Sequence, residues 1–119
     1  MKRSGFRELE VWKRSRDLAI SVYKVTSSGA FLGDFSLRDQ MRRASISISS
    51  NIAEGDERGS NRDSVRFLHI AKGSLAELMT QLEISKAVNL IGNEDFQQLN
   101  MECEIIGKML GKLIKVRRS

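Results

Sequence analysis

The chain contains no proline, one cysteine and one histidine in its 119 residues. Missing proline argues against a β-rich domain, whose many turns usually use its preset dihedral; helices joined by short hairpins can omit it. A lone Cys103 excludes an internal disulfide and fits a reducing compartment. One histidine, His69, and one cysteine fall short of the usual four-ligand metal site, so no metal or other cofactor is expected. No apolar run is long enough to span a bilayer, and Met1 to Glu10 hold no stretch of the signal-peptide kind. These absences point to a cytoplasmic protein without membrane contact.

What is present has the balance of a globular chain. Hydrophobic residues make up 40% and charged residues 29%, too apolar for disorder. Lys and Arg number 20 against 15 Asp and Glu, a net charge of +5. That excess permits contact with nucleic acid or with acidic protein surfaces. The length suits one domain over residues 1–119.

Four segments carry helical periodicity, at about 9–27, 37–58, 62–91 and 94–116. In the first, Val11, Leu18 and Val25 recur every seven residues, with Trp12 and Ala19 beside them. Gly29 and Gly33 follow and could adopt left-handed dihedrals at a chain reversal. In the second, Ser45-Ile46-Ser47-Ile48-Ser49 alternates like a strand. The longer set Leu37, Met41, Ala44, Ile48 and Ile52 steps by three and four over about four turns, which favours helix. Ser36 with Asp39, and Ser60 with Asp63, read as N-caps. The third segment has one stripe of Phe67, Ala71, Leu75, Leu78 and Leu82, and a second line of Ile70, Ile84 and Ile91. Gly73 inside it suggests close approach of another backbone. In the fourth, capped by Asn93, Phe96, Leu99, Cys103, Ile106, Leu110 and Leu113 step by three and four. Gly107 and Gly111 suggest tight packing there. The expected fold is all-α, an antiparallel up-down-up-down four-helix bundle.

Three motifs carry a resemblance. They are Phe6-Arg7-Glu8-Leu9-Glu10-Val11-Trp12, then Gln40 to Ala44 with Ser50-Asn51-Ile52-Ala53-Glu54-Gly55, then Phe67 to Leu78. In this order they resemble the four-helix-bundle proteins first noticed as open reading frames in intervening sequences of bacterial 23S ribosomal RNA genes. Relatives usually carry proline after the Phe of the first loop and often in the Ser-Ile-Ser stretch. Here Leu32 follows Phe31 and Ser49 follows Ile48, which leaves the loop less rigid and the second helix less interrupted. The resemblance implies a homopentamer of unsettled biochemical role. It extends distantly to the accessory protein of diversity-generating retroelements, a basic bundle that works with a reverse transcriptase and nucleic acid.

The candidate sites are polar or apolar surfaces rather than catalytic centres. Lys2, Arg3, Arg7, Lys13, Arg14 and Arg16 at one end of the chain, and Lys108, Lys112, Lys115, Arg117 and Arg118 at the other, are expected to converge in a bundle. They would form a basic face for RNA or DNA phosphates, or equally an ordinary solvated surface. Trp12 and Tyr23 are expected to be packed, which gives base stacking little support. Arg43, Asn51, Glu54 and Arg58, with Arg42 beside them, fall near one face of the second helix, as a polar network, an interface or a recognition surface. Ile46, Ile70, Ile84 and Ile91 exceed what one subunit needs and suggest a homo-oligomer interface. A protein-interaction or scaffold module without nucleic-acid binding is the rival reading. Ser74 lacks the strand-turn-helix setting of a nucleophile, and Glu54 and Glu77 lack a pocket, so no enzyme is expected.

Overall fold

The computed structural model describes residues 5–118 and shows helices with no strand among them. A short 3-10 turn, Phe6–Glu8, leads into α1 (Glu10–Thr26). A second, Gly29–Gly33, connects α1 to α2 (Phe35–Glu57); α3 (Asn61–Ala87) and α4 (Asn93–Arg118) follow. The Ser-Ile-Ser-Ile-Ser run lies within α2, with Ile48 fully buried and Ile46 exposed. The three-four periodicity therefore prevails over the two-residue alternation. The backbone of each helix lies close to two others, α1 to α2 and α4, and α3 to α2 and α4, while the diagonal pairs α1–α3 and α2–α4 show no close backbone approach among the described residues. Short connections reverse the chain each time, so the ring of four is up-down-up-down, in an envelope of 49 × 19 × 19 Å.

One core fills the ring. Leu18 and Val22 from α1, Met41, Ile48 and Ile52 from α2, Leu68, Leu78 and Leu82 from α3, and Ile106 and Leu110 from α4 are almost wholly removed from water. Each such side chain contributes about 1.5–3 kcal/mol of apolar transfer. Phe31 plugs the core from the α1–α2 connection. Three buried hydroxyls are satisfied within their own helices: Ser15 donates to the Val11 carbonyl (2.7 Å), Thr26 to Val22 (2.7 Å) and Ser85 to Gln81 (2.8 Å). Such back-bonding lets a small polar residue face the core without an orphaned donor.

Several ends differ from expectation. Asp34, not Ser36, caps α2 by accepting from the Leu37 N–H at 3.0 Å. Ser60 caps α3 as expected, its hydroxyl accepting from the Asp63 N–H at 3.2 Å. The third segment stops at Ala87 rather than near 91. Asn89 there takes φ 63°, and the Leu90 N–H reaches back to the Ser85 carbonyl at 2.8 Å. This is the left-handed helix ending that asparagine tolerates. The Phe96 N–H bonds the Gly92 carbonyl, so Gly92, not Asn93, holds the N-cap place of α4. Neither Gly29 nor Gly33 has positive φ, because the 3-10 turn makes that reversal.

The glycines divide in the same way. A Cβ on Gly73 or Gly111 meets no atom within 4 Å, so neither marks close packing inside the subunit; Gly107 only touches Leu75. The tight approach is at Gly55, where a Cβ would lie 3.0 Å from the Ser64 carbonyl oxygen and 3.2 Å from Phe67 Cβ. Gly55 therefore lets the end of α2 press against the start of α3.

Candidate nucleic-acid interface

The Gly55–Ser64 contact opens onto a buried ion pair. Asp56 follows Gly55 in the last turn of α2, where the helix dipole disfavours a carboxylate. Arg117, in the last turn of α4, compensates: one guanidinium nitrogen donates to Asp56 Oδ1 at 2.7 Å and the other to Ser64 Oγ at 2.7 Å. The two charged side chains are 2% and 8% exposed. Three helix ends are thereby fastened at one point. Asp56 Oδ2 has no protein partner.

Basic side chains surround this lock. Arg118 sits 3.3 Å from His69 Nε2, joining the end of α4 to the first turns of α3. A groove of about 360 Å³ between them is lined by Asn61, Arg62, Val65, Arg117 and Arg118. Lys108, Lys112 and Lys115 are exposed along the last turns of α4, with Arg62, Arg66 and Lys72 exposed on α3. Arg58 and Arg66 both stack over the Phe67 ring, at 4.4 and 4.6 Å, and Arg58 also pairs with Glu54 at 3.0 Å. Glu57 and Asp63 are exposed acids at this end, but cations outnumber them.

The expected convergence of the two chain termini is only half realised. Arg14 donates to Glu102 at 2.9 Å. Glu102 lies sixteen residues before Arg118, about 24 Å along α4. Lys13 pairs with Glu10 and Arg16 with Asp17. These residues line a larger groove between α1 and α4, about 640 Å³, in which Glu10, Asp17, Asp95 and Glu102 balance Lys13, Arg14, Arg16 and Lys24. Such a balanced lining offers no field of one sign to a polyanion. Arg7 is exposed over Phe6 at 4.7 Å, and Arg3 and Lys2 lie outside the described residues. Arg117 is corrected from a surface phosphate contact to a buried structural cation. Arg62 and Arg66 were missed, although Arg58, Arg62 and Arg66 recur every four residues across the α2–α3 turn.

The polar constellation of α2 separates into three local units. Arg42 leaves the others and closes the end of α1, bonding Thr26 Oγ1 at 2.9 Å and Ser27 Oγ at 3.1 Å while stacking over Tyr23 at 4.4 Å. Asn51 donates to the Ser47 carbonyl and hydroxyl at 2.8 and 3.0 Å, and Ser47 meets Ser74 of α3 at 2.8 Å. Glu54 and Arg58 pair with each other, and Arg43 is exposed. Among the described residues, no hydrogen bond joins these units into one network. Tyr23, expected to be packed, is 41% exposed beneath Arg42.

Of the four isoleucines expected on an interface, Ile46, Ile70 and Ile84 are more than 40% exposed. Ile91 is corrected: the turn at Asn89 carries it back into the core, where it is 6% exposed. Cys103 is fully buried, and desolvation, with help from Glu102 and Glu104, pushes its thiol up from 9.0 to about 12. The native protein should therefore resist thiol reagents near pH 8 and react fully once denatured in urea. Because the folded thiol holds its proton while the unfolded one loses it, this burial stabilises the fold below pH 9.0, and the benefit fades as pH climbs towards about 12. Rapid native labelling would contradict the core position. No helix among the described residues is long and apolar enough to cross a membrane.

Comparison with known proteins places this architecture. The family described as 23S rRNA-intervening sequence protein matches residues 7–112. Among solved structures, a protein of unknown function from the S23 ribosomal protein family of Bacteroides thetaiotaomicron VPI-5482 aligns with a TM-score of 0.81 at 27% identity. The alignment covers 88% of this chain and 98% of that one. The search of curated proteins found no match.

Proposed function

We propose that this chain, which belongs to the 23S rRNA-intervening sequence protein family, is a non-catalytic, self-associating bundle that holds RNA or DNA by the phosphate backbone. The observation that carries this reading is the excess of cations around the Asp56–Arg117 lock, where α3 begins and α4 ends. Arg62, Arg66, Lys72, Lys108 and Lys112 are exposed there and have no ion pair among the described residues. At the far end, the first turn of α4 carries Glu94 and Asp95, and exposed Lys24, Arg43 and Lys86 are mixed with exposed Asp39 and Glu83, so the cation excess lies at the lock. Rotational copies, five by the family resemblance, would repeat the basic end on one assembly. Binding is expected to weaken steeply as salt rises from about 50 to 200 mM, because each neutralised phosphate releases counterions. Fluorescence anisotropy with a labelled RNA checks this; no binding at the lower salt rejects the reading.

A protein-interaction role is the second reading, supported by exposed Ile46 on α2 and exposed Ile70 and Ile84 on α3. A second copy of the chain is the occupant favoured here, since the bare Gly73 lies on α3 between Ile70 and Ile84 and would let another helix approach. Ile70→Glu is expected to reduce the assembly to the 13.4 kDa subunit without loss of helix content. Light scattering and circular dichroism test the two halves of that statement. An intact assembly would place the interface elsewhere.

A further inference from the structure

We infer that the corner between α2 and α3 accepts unpaired bases, so that the nucleic acid bound at the basic end is single-stranded. The inference rests on the reading above and adds the substrate class. Arg58 and Arg66 both lie over the single ring of Phe67, at 4.4 and 4.6 Å, the kind of contact in which an aromatic face attracts a cation. Two like charges share that ring because Glu54 offsets one of them. Phe67 is itself half-buried, its Cβ set against Gly55, so it provides a fixed platform.

A guanidinium held over an aromatic ring is ordered before any ligand arrives. Arg66 is exposed, and the Arg58 side chain is 41% exposed, so both planes remain accessible. Arginine planes and aromatic rings are the surfaces on which splayed bases stack. Arg62, one helical turn before Arg66, adds a cation for the flanking phosphate. Paired bases within a duplex already stack on each other and present chiefly their backbone. The corner therefore discriminates by base accessibility, whereas the lysines of α4 sense charge alone.

The test compares three probes of equal length with the full chain at low salt: a single-stranded RNA, its duplex, and an abasic strand with the same phosphates. The single strand is expected to bind about tenfold tighter than the abasic strand. A 2-aminopurine placed in it should be quenched on binding. Phe67→Leu removes the ring and leaves all three arginines. Arg66→Lys keeps the charge at a surface position and loses the plane. Phe67→Leu should abolish the tenfold preference and the quenching while leaving abasic binding unchanged, and Arg66→Lys should lessen the preference. Equal affinity for abasic and base-bearing strands, or tighter binding of the duplex, overturns this inference and leaves phosphate binding standing. Failure of every probe to bind overturns both.

Discussion

Asp56→Ala is expected to cost about 3–5 kcal/mol of folding free energy, because it leaves the Arg117 guanidinium buried without its counter-charge. Domains of this size hold roughly 5–15 kcal/mol in all, so the variant should sit near the edge of unfolding at room temperature. The reason lies in the asymmetry between removing a buried pair and breaking it. Arg117 donates to Asp56 and Ser64 from a position that is almost wholly shielded from solvent. Without the carboxylate, the cation must reach water by fraying the end of α4 or remain unpaired. Replacing both partners with apolar residues, Asp56→Leu with Arg117→Met, removes both desolvation costs together and should come much closer to wild type. Urea unfolding of the single and double variants reads this directly. A single-variant loss below about 1 kcal/mol would mean that the pair is wet and surface-like.

The triple variant Arg62→Glu, Lys108→Glu and Lys112→Glu should lower affinity for single-stranded RNA by about 100-fold near 0.1 M salt, with a salt dependence flatter by about two logarithmic units per decade. All three side chains are exposed, so the fold should tolerate the change, and unchanged circular dichroism is the necessary control. Reversing Lys13 and Arg16 instead should have a much smaller effect, since each already faces an acid. If both sets weaken binding equally, the attraction is a diffuse effect of net charge and the basic end has no special part in it.

The contrast between these two sets shows where sequence reading reaches its limit. Lys13, Arg16, Lys112 and Arg117 are indistinguishable as charges in a list. Their roles separate only when Glu10, Asp17 and Asp56 are found beside three of them. Arg42 likewise shares the helix of Asn51 and Glu54, yet its length lets it reach across to the end of α1. Spacing along one helix assigns a face at the root of a side chain but not the position of a guanidinium several bonds away. Ile91 departs from its expected interface position for a related reason. Its seven-residue spacing from Ile84 has meaning only if the helix continues, and Asn89 ends it.

By itself, the sequence determined the four helices, the absence of strand structure among the described residues, the Ser60 cap and most of each core stripe, although Leu68 and Ile114 take the buried places expected of Phe67 and Leu113. All of these rest on short-range periodicity and on hydrogen bonds spanning a few residues, which a linear pattern records. Tertiary structure alone decided that Arg117 is buried, that Gly55 rather than Gly73 marks the close approach, and that Arg58 and Arg66 meet on Phe67. Those outcomes depend on which helix ends are brought together and at what depth. That arrangement arises from packing all four helices at once and is written in no single segment.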